Sequence, residues 1–145
     1  MTGPISRRDL GFLLPILAAA GAGAQETGSS DLQTKLYHHK QVPYTGDDNK
    51  KGRRFFYGTT HTGYHLEMHE TILGPGTRTH EPHKHEHEEI LVVFEGTLEM
   101  YNDGKTDTAE TGSVIYFGSN QMHSVRNIGT VPARYYVLEL RASGV

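Results

Sequence analysis

Residues 80–96, "HEPHKHEHEEILVVFEG", carry four of the chain's ten histidines and then turn into an apolar run. Imidazole and carboxylate together are the natural donors for a divalent first-row transition metal: Mn, Fe, Co, Ni, Cu or Zn. Calcium and magnesium would ask for more oxygen. In an extended chain, residues two apart point the same way, so His83, His85, His87 and Glu89 could all aim at one ion. Parity does not exclude His87, and a surface histidine tract with adventitious metal affinity is the bland alternative.

Side chains so close together need rigid elements to hold them. Segments 53–58, 64–73, 88–96, 97–102, 112–118, 123–127 and 133–140 have strand character, and "NDGK" at 102–105 is a hairpin turn. No segment sustains a 3.6-residue period, so an all-β antiparallel barrel or sandwich is expected. Segment 64–73 alternates, with Leu66, Met68 and Ile72 on one parity and His65, Glu67 and His69 on the other. The polar set reads as an exposed face, with His65 and His69 as pocket-wall or supporting groups the alternative. Glu70 is the odd residue on the apolar parity. Pointing inward, it would be a candidate general base. Tyr116, Phe117, Tyr135 and Tyr136 read as packing residues, and His80 and His87 as neighbours of the metal ligands. The run Ile90–Phe94 is apolar on both parities, which predicts cover on both faces and therefore a homodimer.

Two spacings carry a resemblance. His83-x-His85-(x)3-Glu89-(x)6-Gly96 resembles the first metal motif of the cupin superfamily, and Gly112-(x)10-His123-(x)3-Asn127 is similar to the second. Residues 96 to 112 leave room for one hairpin between them. The similarity covers roughly residues 63–140. Gly76 sits one position earlier than the first motif's usual glycine, and Gly118 and Asn120 stand where the second has proline and glycine. These departures bear on turn shape near His123 rather than on ligand chemistry. The resemblance implies a small antiparallel β-barrel, a jelly-roll-like double-stranded β-helix. It also implies His83, His85, Glu89 and His123 as ligands of one divalent metal. Three histidines and one carboxylate would leave one or two positions open, as catalytic sites do. A metal-dependent enzyme of dioxygenase type acting on a small molecule is the first expectation. A non-catalytic metal- or ligand-binding module, and a cupin isomerase or decarboxylase, are the alternatives.

The rest of the chain bounds these readings. Its 145 residues suit one modest domain. The formal charge of −3, without a basic stripe, argues against nucleic acid. Absence of cysteine excludes disulfides, thiolate ligands and a thiol nucleophile. No G-x-S-x-G elbow or phosphate-binding glycine loop is present. At the N-terminus, Arg7 and Arg8 precede an apolar stretch, Leu10 to Ala20, and then Ala22-Gly23-Ala24. This is the pattern of a cleavable export signal, and the paired arginines resemble a twin-arginine (Tat) signal. The apolar stretch is short of the roughly 20 residues a spanning helix needs, so no stable membrane anchor is expected. The expected organisation is a signal peptide over 1–24, a polar leader over 25–52 and a barrel over 53–145. The mature protein would be periplasmic or extracellular.

Overall fold

In the computed structural model, residues 31–142 are described. The expected export signal lies outside them. Among the described residues, nine strands follow one short 3-10 turn, His39–Gln41. They are β1 (Thr45–Gly46), β2 (Lys50–Thr59), β3 (Tyr64–Leu73), β4 (Glu88–Glu95), β5 (Thr97–Asn102), β6 (Lys105–Glu110), β7 (Val114–Phe117), β8 (His123–Asn127) and β9 (Ala133–Ala142). All named pairings are antiparallel. One sheet runs β1-β2-β3-β9-β4-β7, the other β6-β5-β8. This is the all-β cupin-type fold that the motifs imply. β2 starts at Lys50, whose partner is Leu73, three residues before the expected start of the barrel.

The local chemistry accounts for the corners. Asp103 and Gly104 link β5 to β6 with φ of 44° and 86°, and Asn102 pairs with Lys105. Positive φ at both central positions matches the right-handed twist of a two-residue hairpin. Gly96 separates β4 from β5 at φ 84°, and a Cβ there would lie 2.7 Å from the Ala133 Cα. The glycine thus serves conformation and close approach together.

One end of the barrel is dry. Leu73, Val93, Leu98 and Ala133 are buried there, and burial of their apolar surface stabilises the fold. Asn127 locks this end. Its side-chain amide donates to the carbonyls of Leu73 (2.9 Å) and Val131 (2.8 Å), and its Oδ1 accepts from the Gly129 N–H at 2.9 Å. The polar parity of β3 behaves contrary to expectation. His69 and Thr71 line an internal cavity, whereas Met68 lies on the outer face beside Leu36, Tyr37 and Phe56. Alternation says that two faces differ, but which one faces inward depends on what the interior contains. Tyr116 is also corrected, being 57% exposed, while Phe117 and Tyr135 are buried. Of the apolar run in β4, Leu91 and Val93 are buried, Ile90 and Val92 are half-buried and Phe94 is exposed.

Candidate metal centre

The other end of the barrel is wet and rich in histidine. The segment before β4 and the start of β8 meet there through reciprocal backbone bonds. The His83 N–H donates to the His123 carbonyl at 3.1 Å, and the His123 N–H returns to the His83 carbonyl at 2.8 Å. Nearby, the Asn120 N–H donates to the His85 carbonyl at 2.7 Å. Asn120 has φ 59°, a left-handed conformation that asparagine tolerates better than most residues. The turn that departs from the cupin pattern therefore still closes against the histidine segment.

These bonds bring His83, His85 and His123 together, with one donor atom from each within 4.8 Å of the others. His85, His87 and Glu89 form a second, overlapping group of the same kind. The Nδ1–H of His85 donates to the His87 carbonyl (2.9 Å) and that of His123 to the Gln121 carbonyl (2.8 Å). These bonds fix the tautomers, so both Nε2 lone pairs are available. Both Nε2 atoms then face the Glu89 carboxylate, at 3.1 Å for His85 and 3.5 Å for His123. Lone pairs facing a carboxylate repel unless a proton or a cation lies between them. His123 Nε2 and His83 Nδ1 are also buried without hydrogen-bond partners among the described residues. Donor types, tautomers and orphaned nitrogens all fit a divalent transition metal.

The electrostatics point the same way. Burial and the neighbouring His123 and His85 lower the His83 pKa, and burial and His85 lower that of His87. Both rings are therefore neutral near pH 7, the form that binds metal. Burial pushes the Glu89 carboxyl up, but the adjacent imidazoles of His123, His85 and His87 outweigh it and hold the group at about 2. Burial lowers His123, but the nearby Glu89 carboxylate and the hydrogen bond to the Gln121 carbonyl raise it overall.

The cluster opens onto a cavity of about 310 Å³, whose wall includes His69, His80, Leu91, Tyr135, Val137 and Glu139. Glu67, Glu139 and Glu89 stand opposite one another across β3, β9 and β4. Like charges so placed are destabilising. Burial, followed by the Glu67 and Glu89 charges, pushes the Glu139 carboxyl up to about 7. Glu67 and Glu139 group with His69, and Glu139 also lies 3.4 Å from His87.

Glu70, the candidate general base, is not among the cavity-lining residues. It is fully buried, with Oε2 at 2.5 Å from both Nε and Nη2 of Arg53, and Oε1 at 3.7 Å from Arg134. Sequence reasoning did not single out Glu139 and Thr71, and it read Tyr135 as packing. Their shared parity with Val137 and His69 was the available signal, but it needed the inward face to be known.

The Cupin domain family model matches residues 69–139. An uncharacterized protein of Methanocaldococcus jannaschii, MJ1618, is 30% identical over 101 residues, which are 69% of this chain and 80% of that protein. This chain belongs to the cupin family. Among solved structures, an RmlC-like cupin from Shewanella frigidimarina matches at TM-score 0.64 and 13% identity, covering 77% of this chain and 95% of that one. The cupin domain of an XRE family transcriptional regulator from Enterobacter cloacae matches at TM-score 0.54 and 26% identity, covering 63% and 96%.

Proposed function

We propose that the protein is an exported, metal-dependent cupin enzyme of dioxygenase type that acts on a small molecule held in the barrel cavity. His83, His85, Glu89 and His123 hold one divalent transition metal. The observation that carries this reading is the pair of imidazole Nε2 lone pairs turned on one carboxylate beside an open cavity. A metal held by three histidines and one glutamate would supply a Lewis acid with open positions for substrate or dioxygen. The chain's own contribution is orientation. Carbonyls of His87 and Gln121 fix the rings, Phe117 stacks on His123 with centroids 4.3 Å apart, and Leu91 and Val137 make one wall of the cavity apolar.

Metal analysis of protein purified after native export tests the site. About one ion per chain is expected, and none in the His85→Ala/His123→Ala double variant. Full occupancy in that variant would refute the ligand assignment. Oxygen uptake over a panel of catechols, flavonoids, thiols and diketones tests the chemistry. Ligand-induced melting shifts with no turnover would instead favour the binding-module reading. We also propose a homodimer joined through the outer face of the larger sheet, where Val114 is 64% and Tyr116 57% exposed. Light scattering that gives the mass of a single chain would exclude it.

A further inference from the structure

The cavity wall carries further hydrogen-bond donors besides the imidazoles. Tyr135 on β9 is 1% exposed and lines the cavity; its hydroxyl lies beside those of Thr71 and Thr79 but makes no well-formed hydrogen bond among the described residues. Buried hydroxyls are normally satisfied, so a cavity-lining group of hydroxyls with an incompletely bonded member is a place where a ligand atom fits. Burial raises the pKa of this phenol, so it stays protonated and can donate. Thr71 and Thr79 line the same cavity. The Thr79 hydroxyl already donates to the Val125 carbonyl at 3.3 Å. Lys50 lines the cavity too, and its Nζ donates to the Thr79 carbonyl at 2.6 Å. An ammonium has three donors, so two N–H groups remain for a ligand.

We infer that Tyr135, Thr71 and Lys50 form a carboxylate-binding subsite, and that the molecule bound in this cavity is a small carboxylic acid. The inference rests on reading the cavity as the ligand site. Two hydroxyls and an ammonium offer donors to an anion. One lysine matches a single negative charge, whereas a phosphate dianion is usually met by several cations or a nest of backbone N–H groups. The carboxylates of Glu89 and Glu139 in the same cavity also disfavour a dianion. A carboxylate held at Tyr135 and Lys50 leaves the rest of the molecule directed at the histidine cluster. The subsite thus sets which end of the substrate meets the reactive position.

The test is calorimetric titration of the whole protein with benzoate and pyruvate, using benzamide and pyruvamide as neutral controls and phenyl phosphate as the dianion control. Each titration is repeated on the His85→Ala/His123→Ala variant. We expect the acids to bind roughly tenfold or more tightly than their amides. Tyr135→Phe, Thr71→Val and Lys50→Met should each weaken the acids by roughly tenfold and the amides by less. Binding should persist in the double histidine variant, so failure of the metal assignment would leave this result standing. Lys50 is at the surface, so Lys50→Met reports on binding even if a core variant folds poorly. The inference is overturned by equal affinity for acids and amides, by tighter binding of phenyl phosphate, or by unchanged acid affinity in Tyr135→Phe and Lys50→Met. Loss of acid binding in the double histidine variant alone would also overturn it, because the acid would then be a ligand of the metal site only.

Discussion

Two sets of carboxylates occupy opposite faces of the same sheet, and their surroundings could hardly differ more. On the outer face Glu70 is completely buried, but Arg53 and Arg134 stand against it. The Arg53 guanidinium also donates to the His39 carbonyl and lies over the Tyr44 ring at 4.4 Å. On the inner face Glu67, Glu139 and Glu89 oppose one another across three strands, with imidazoles between them. Of the three, only Glu67 has an arginine within ion-pairing distance among the described residues, Arg54 at 3.5 Å. A buried charge closed by arginine is finished chemistry. A row of carboxylates that faces imidazoles rather than guanidinium groups still has room for a cation. The lesson is that burial alone does not mark a site, whereas incomplete compensation inside a cavity does.

The comparison can be broken first at Glu70. Glu70→Ala strands Arg53 uncompensated and should cost about 3–5 kcal/mol of unfolding free energy, read by urea denaturation. Metal stoichiometry should not change, and a loss of metal here would mean that the two faces are coupled. His123→Ala should do the reverse. Metal affinity should fall by more than the roughly 10–100-fold typical of losing a supporting partner, and competitive chelator titration will measure it. The metal-free variant should remain folded.

pH separates members of the inner row from one another. Folded Glu139 titrates near 7, against an ordinary 4.5. Between those values the native state holds more protons than the unfolded chain, so this group makes stability fall as pH rises. Folded Glu89 sits near 2, and its contribution is present above the ordinary value and lost as pH falls toward 2. In metal-free protein at pH 8, Glu139→Gln should therefore stabilise and Glu89→Gln should destabilise. Melting curves at pH 5 and pH 8 will show it, and the same sign for both variants would contradict the contrast within the row. The smallest effect is expected at Arg54, which is largely exposed and 3.5 Å from Glu67. Arg54→Ala should change stability by about 1 kcal/mol or less.

Much of the centre was legible in the chain. The spacings around His83, His85, Glu89 and His123 pointed to one cluster; the structure groups His83 with His85 and His123, and sets Glu89 beside His85, His87 and His123. The short strands and "NDGK" pointed to antiparallel β-structure, and a hairpin turns at Asp103-Gly104. The alternation in β3 was read correctly as a pattern but assigned to the wrong face. Polar residues usually mean solvent, and here His69 and Thr71 line a cavity instead. Glu70 carried no signal of Arg53, its partner 17 residues earlier, because register across a strand pair with a bulge between Arg54 and Phe56 is not written in either strand alone.

By itself, the sequence determined the donor types, their spacing and the strand-and-turn rhythm, since these are local properties of residue chemistry and backbone preference. Tertiary structure alone decided which parity faces inward, that the Tyr135 hydroxyl is buried beside Thr71 and Thr79, and that Glu139 stands between two other carboxylates. Each of these depends on which strands become neighbours and in what register. That pairing is settled by burial and hydrogen bonding over the whole barrel, not by any one segment.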